Sequence, residues 1–210
     1  MENKINGMNR ETYLEAMTDK AVVLFENAGY KISDIRSIIK VSCGFPPNTR
    51  IGTKFTTLGV CINPKASESG NHEIYINPVT SESVKVIDIL IHELTHAVTN
   101  TQFPNAKQSH GKEFKMVSKA IQMDGNKKFK YACANPDLIK KIESWIKELG
   151  EYPHDKITLK GNRKKQGVRN LKVECQSCEW SFRTSNKNIL LMVSTKCLCC
   201  GDDEGLIVTF

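Results

Sequence analysis

No apolar run in this chain approaches the ~18 residues that a membrane-spanning helix needs. Nor does the stretch from Met1 to Arg10 contain the apolar centre of a secretory signal, which points to a cytoplasmic setting. Internal repeats and low-complexity segments are also missing. Acidic residues are absent between Lys156 and Lys172, where Lys156, Lys160, Arg163, Lys164, Lys165, Arg169 and Lys172 supply seven positive charges. Those seven equal the whole net charge of +7, so the rest of the chain is balanced.

What is present is ordinary globular composition, 40% apolar and 25% charged, in 210 residues. That length suits one full domain plus a small module. A module of about 50 residues buries too little to hold its fold without a metal or cross-links. The chain has eight cysteines. In a reducing cytosol, clustered cysteines are read first as metal ligands.

Helical spacing of Leu14, Met17, Ala21, Val22, Leu24 and Phe25 predicts a helix from about Arg10 to Asn27, ending at Gly29. A second short helical pattern covers Ile32 to Ile39. Strands are expected at Thr56 to Ile62 and at His72 to Asn77, where Ile74 and Ile76 alternate with polar neighbours. Ser81 or Ser83 is positioned to cap the next helix, which runs to about Asn100. Further helices are expected from Ser109 to Asp124 and from Pro136 to Leu149, then strand-like runs at Leu171–Glu174 and Leu206–Phe210.

His92-Glu93-Leu94-Thr95-His96 lies in the strongest of these helices. Residues four apart on a helix lie one above the other, so His92 and His96 can direct both imidazoles at one ion, with Glu93 beside them to take a proton from water. This is the arrangement of zinc hydrolases. A catalytic zinc needs a third protein ligand. Thr99 and Gln102 stand where a metzincin would have Gly and His, so that class is excluded. His110 and Glu113 both remain candidates on spacing alone. His154 is a candidate donor to a developing oxyanion, and the strand around Ile74 is a candidate edge for receiving an extended peptide by backbone pairing. Cys43, Cys61 and Cys133 stand alone and read as small buried hydrophobes.

Cys175-Gln176-Ser177-Cys178 is followed, after eighteen residues, by Cys197-Leu198-Cys199-Cys200-Gly201. Two C-x2-C knuckles at this separation fit a closed, structural zinc site made by Cys175, Cys178, Cys197 and Cys200. Cys199 competes with Cys200, and the C-x2-C-G spacing favours Cys200. Trp180, Phe182, Arg183 and Lys187 lie between the knuckles. With the basic stretch before them, they form a candidate nucleic-acid footprint.

His92-Glu93-Leu94-Thr95-His96-Ala97-Val98, followed by His110-Gly111-Lys112-Glu113-Phe114-Lys115, resembles the SprT-like (Spartan-related) zinc metallopeptidase family. The resemblance implies that His110 is the third zinc ligand and that Glu93 is the catalytic base. Gly59-Val60-Cys61, Gly150-Glu151-Tyr152-Pro153-His154 and the run from Lys164 to Cys175 extend it to phage and bacterial members with a C-terminal zinc ribbon. It covers roughly residues 45 to 205. The fold expected from it is α+β: a zincin-like domain of helices packed on a small sheet over 1–150, a basic linker over 151–170, and a four-cysteine zinc ribbon over 171–210. The implied function is a metalloendopeptidase with two zinc ions, one catalytic and one structural, directed to DNA-associated proteins. The alternative is a nucleic-acid-binding zinc protein with little or no proteolysis, and a third reading is a zinc hydrolase of small substrates.

Overall fold

The computed structural model describes residues 7–46, 57–107, 109–125, 132–157, 171–185, 187–188, 196–202 and 206–209. It divides into two compact units, Met1–Lys160 and Gly161–Phe210. The first unit is a mixed α+β layer and the second a small sheet. No helix among the described residues is long and apolar enough to cross a membrane.

The first helix, α1, spans Arg10–Asn27. Its N-cap is Asn9, whose side chain accepts the Thr12 N–H at 2.8 Å. It closes on Gly29 at φ +85°, with the Tyr30 and Gly29 N–H groups donating to the Phe25 and Glu26 carbonyls. This double bond-back needs a left-handed residue, which glycine supplies without strain. Tyr13, Leu14, Met17, Ala21 and Phe25 put one face of α1 into the core.

The expected helix at Ile32–Ile39 is instead a short 3-10 turn, Ser33–Ile38, followed by a strand, β1 (Ile39–Cys43). Ile39 and Val41 are buried while Lys40 is exposed, a period-2 pattern too short to stand out in sequence. β2 (Gly59–Ile62) and β3 (His72–Ile76) complete a three-stranded sheet in the order β1-β3-β2. β1 runs parallel to β3 and β2 antiparallel to it. The strand bearing Ile74 is therefore central and paired on both sides, not the expected edge. The edge near the second helix is β2.

That helix, α2, spans Ser83–Gln102 and packs Val86, Ile87, Leu90, Ile91, Leu94 and Val98 into the same core as α1. Its N-cap is Glu82, without a side-chain capping bond, so neither Ser81 nor Ser83 fills that role. The Ser83 hydroxyl is used elsewhere: it donates to the Glu151 carboxylate and accepts the Tyr152 N–H at 2.8 Å. α3 is Lys112–Ala120, and α4 is Pro136–Leu149, capped by Asn135 with Pro136 in its first turn. Between them β4 (Met123–Asp124) pairs with β5 (Cys133–Ala134). Tyr152 is buried and the Ile157 N–H bonds the Pro78 carbonyl at 2.8 Å, so the described part of the expected linker belongs to the first unit. Arg163, Lys164, Lys165 and most of that basic stretch lie outside the described residues.

In the second unit β6 (Leu171–Cys175) lies between β7 (Ser181–Thr184) and β8 (Leu206–Thr209), both antiparallel to it. Leu171, Val173, Cys175, Thr184 and Cys197 are its buried residues among those described.

Candidate metal centres

α2 places His92 and His96 one turn apart, and Gly111, at the N-cap of α3, turns the chain so that His110 meets them. One nitrogen from each ring lies within 4.8 Å of the others. His92 Nε2 and His110 Nε2 are 3.2 Å apart. Phe114, fully buried on α3, packs against all three rings at centroid distances of 4.4 to 5.2 Å and makes an apolar floor beneath them.

Chemistry of the donors tests whether a cation fits. His92 Nδ1 is 3.1 Å from the Ala132 carbonyl, which can only accept, so Nδ1 carries the hydrogen. His92 Nε2 then presents a lone pair to His110 Nε2. Two nitrogens bound to one tetrahedral zinc at 2.0–2.1 Å stand about 3.3 Å apart, close to the observed separation. Burial lowers His92 to about 4 and His96 to about 3, which keeps both rings neutral, the state that ligates metal. Zinc fits these residues.

Glu93 follows His92 and turns toward β2, where it is buried. Burial raises its carboxyl to about 8, partly offset by a bond from the Cys61 N–H. The close approach requires Gly59. A Cβ there would come within 2.7 Å of Ile89 Cγ2 and 2.8 Å of Glu93 Oε1. Glu113 sits in the first turn of α3 and does not join the histidines, while His154 is exposed and also outside the cluster. His72 is buried on β3 and bonds Thr101, away from these rings.

The four thiols Cys175, Cys178, Cys197 and Cys200 gather within 4.8 Å of one another. Cys175 and Cys200 sulfurs are 3.7 Å apart, and those of Cys178 and Cys197 are 3.6 Å apart. Thiolates about 2.3 Å from a tetrahedral zinc stand about 3.8 Å apart, so this set fits too. Hydrogen bonds from the Cys200 N–H, and then the Cys199 N–H, against the cost of burial, bring Cys197 down to about 6. Cys199 contributes that backbone donor and an exposed side chain, not a fourth sulfur. Gly201, at φ +76°, makes the turn after Cys200, its N–H bonding the Cys197 carbonyl at 2.8 Å. Of the three solitary cysteines, Cys43 and Cys61 are half-buried, but Cys133 is exposed, contrary to the expectation of burial, because β5 is a two-residue strand at the surface.

Sequence reasoning did not find the Ala132 carbonyl, the Cys61 N–H or the floor role of Phe114. The backbone groups leave no trace in residue identity. Phe114 did stand within the motif that carried the resemblance.

The SprT-like family model matches residues 40–133. This stretch contains His92, Glu93, His96 and His110 and ends before the cysteine cluster. Searches of curated proteins and of solved structures return no match.

Proposed function

We propose, for a chain that belongs to the SprT-like family through residues 40–133 and so carries a metallopeptidase-type domain, that it is a zinc-dependent metalloendopeptidase acting on DNA-associated proteins. The observation that carries this reading is the convergence of three imidazoles, those of His92, His96 and His110, beside the buried carboxyl of Glu93. In this reading the zincin-like domain is the first unit, which takes in residues 151–157 of the expected linker, and the zinc ribbon is 171–210.

His92, His96 and His110 would hold the catalytic ion. Zinc there supplies Lewis-acid polarisation of a peptide carbonyl and acidifies water. Glu93 accepts the proton of the attacking water on its carboxylate and delivers it to the leaving amine. The Cys61 N–H and the bare Cα of Gly59 set the direction of that carboxylate. β2, tied to Glu93 through Cys61, is the strand we take to pair with an extended substrate, a role first expected of the strand around Ile74.

Cys175, Cys178, Cys197 and Cys200 would hold the structural ion in a cytoplasmic, reducing setting. Support for a DNA role comes from Trp180 and Phe182, whose rings lie 5.1 Å apart, and from exposed Arg183, which follows Phe182 in β7 and so projects from the opposite face of the strand. Aromatic planes suit the bases of a single strand and cations its phosphates.

The test is cleavage of a DNA-binding protein by wild type and Glu93→Gln, with and without single-stranded DNA, alongside zinc analysis. Both proteins should hold two zinc ions, and Glu93→Gln should lose roughly 10²–10⁴ in rate. Equal cleavage by the two, both zinc-loaded, sinks the protease reading. No cleavage by wild type with tight DNA binding favours the binding-protein alternative. Neutralising Arg163, Lys164 and Lys165 should abolish DNA stimulation; unchanged stimulation removes the recruitment role.

A further inference from the structure

Asp88, His92 and His96 lie four residues apart on α2 and share one stripe of the helix. Two of them belong to the zinc reading; Asp88 does not. Its Oδ1 accepts the Ala134 N–H at 2.7 Å. Ala132, the residue before β5, accepts the His92 Nδ1–H. The segment 132–134 is thus fastened to α2 at two points, Ala134 to Asp88 and Ala132 to His92, running antiparallel to the helix.

Backbone groups of alternate residues on an extended strand point to the same side, so the Ala132 carbonyl and the Ala134 N–H both face α2. Side chains four apart on a helix share one stripe, so His92 and Asp88 meet them from the same face of α2. The opposite side of the segment is held by β4, where Met123 pairs with Ala134 and the Asn135 N–H bonds the Gln122 carbonyl at 3.0 Å. A pair of two-residue strands is weak alone. The Ala134 N–H faces α2, where Asp88 receives it and gives the segment its second anchorage.

We propose that Asp88 is a positioning residue for the histidine centre: by holding the Ala134 N–H it sets the Ala132 carbonyl against His92 Nδ1, fixes the tautomer and aims the Nε2 lone pair at the metal. The proposal rests on the reading that the three histidines bind zinc. Hydrogen-bond partners of ligating histidines typically contribute 10–100-fold to metal affinity.

Cobalt titration of the full chain separates the two centres, since thiolate-bound cobalt alone gives strong sulfur-to-metal absorption. Wild type should fill both. Asp88→Ala should bind cobalt 10–100-fold more weakly at the histidines and unchanged at the cysteines. Asp88→Glu, which keeps the charge but moves the acceptor by one methylene, should weaken the histidine centre by about tenfold. Asp88→Asn, whose amide oxygen still accepts, should stay within about threefold of wild type. Wild-type affinity at the histidines in Asp88→Ala and Asp88→Glu overturns the proposal, even if both variants melt earlier, because Asp88 then serves the fold alone. Should Asp88→Ala not fold, Asp88→Glu decides. A wild type that takes cobalt at the cysteines only sinks the histidine-zinc reading itself, an outcome distinct from loss of the Asp88 role.

Discussion

The histidine cluster rests on two helices and a fully buried aromatic ring, whereas the cysteine cluster rests on turns between strands of four or five residues. The first is surrounded by a core that includes α1, the sheet, α2 and α4. In the second unit, two of the five buried residues among those described are cluster cysteines. A fold that brings histidines together through its own packing can bind and release an ion without changing shape. A small core in which two of five buried residues are candidate ligands would draw much of its order from a bound ion.

Metal removal should break the comparison open most widely. Structural zinc sites of this kind carry on the order of 10 kcal/mol or more of folding free energy. A strong chelator should therefore collapse the amide NMR signals of 171–209 while the first unit keeps its cooperative unfolding transition. Parallel loss of both units would erase the distinction.

Phe114→Ala strikes only the first region. Loss of a fully buried phenylalanine should cost about 3–5 kcal/mol in urea denaturation and loosen the three imidazoles it supports. Cobalt absorption from the cysteine cluster should not change.

Gly59→Ala probes the same region from the sheet side. The added methyl meets Ile89 and Glu93 at distances that real side chains do not tolerate, so a cost of about 3 kcal/mol is expected. Displacement of Glu93 should lower peptidase turnover more than zinc content. Wild-type turnover would show that Glu93 has room the geometry denies.

The smallest effect is on pH dependence. His72 is buried, donates from Nε2 to Thr101, whose own hydroxyl is given to Ala97, and has no partner at Nδ1 among the described residues. Burial lowers it to about 4. The folded pKa lies below the unfolded value, so this contribution is complete above about pH 6.5 and is lost as pH falls toward 4. From pH 7 to 4.5 the loss should be roughly 2 kcal/mol. Urea midpoints of His72→Gln should fall less steeply with acid than those of wild type; an unchanged slope would clear His72 of the effect.

These contrasts also mark what was legible beforehand. His92, Glu93 and His96 are readable because helix geometry is local and fixes the faces of residues four apart. The C-x2-C knuckles are readable for a similar reason, and the structure places Cys200, not Cys199, among the sulfurs. His110 needed a resemblance, since fourteen residues of chain do not determine where a side chain returns. β1 was hidden because only its pairing with β3 makes Ile39 and Val41 a strand. Ser83 was misread as a cap because its partners, Glu151 and Tyr152, are 68 and 69 residues away. The edge role of β2 followed from strand order, which no local pattern specifies.

The fastening of residues 150–152 has a consequence in time as well as in space. Tyr13 bonds the Gly150 carbonyl across 137 residues, and Tyr152 reaches both Ser83 and Cys43. During synthesis all three histidines leave the ribosome well before this closing segment does. A nascent chain holds its three histidines and Glu93 without the clasp that joins its first helix, its sheet and α2. Contacts of such long sequence separation wait for both partners, so the packing of the first unit is completed only after residue 152 has been translated.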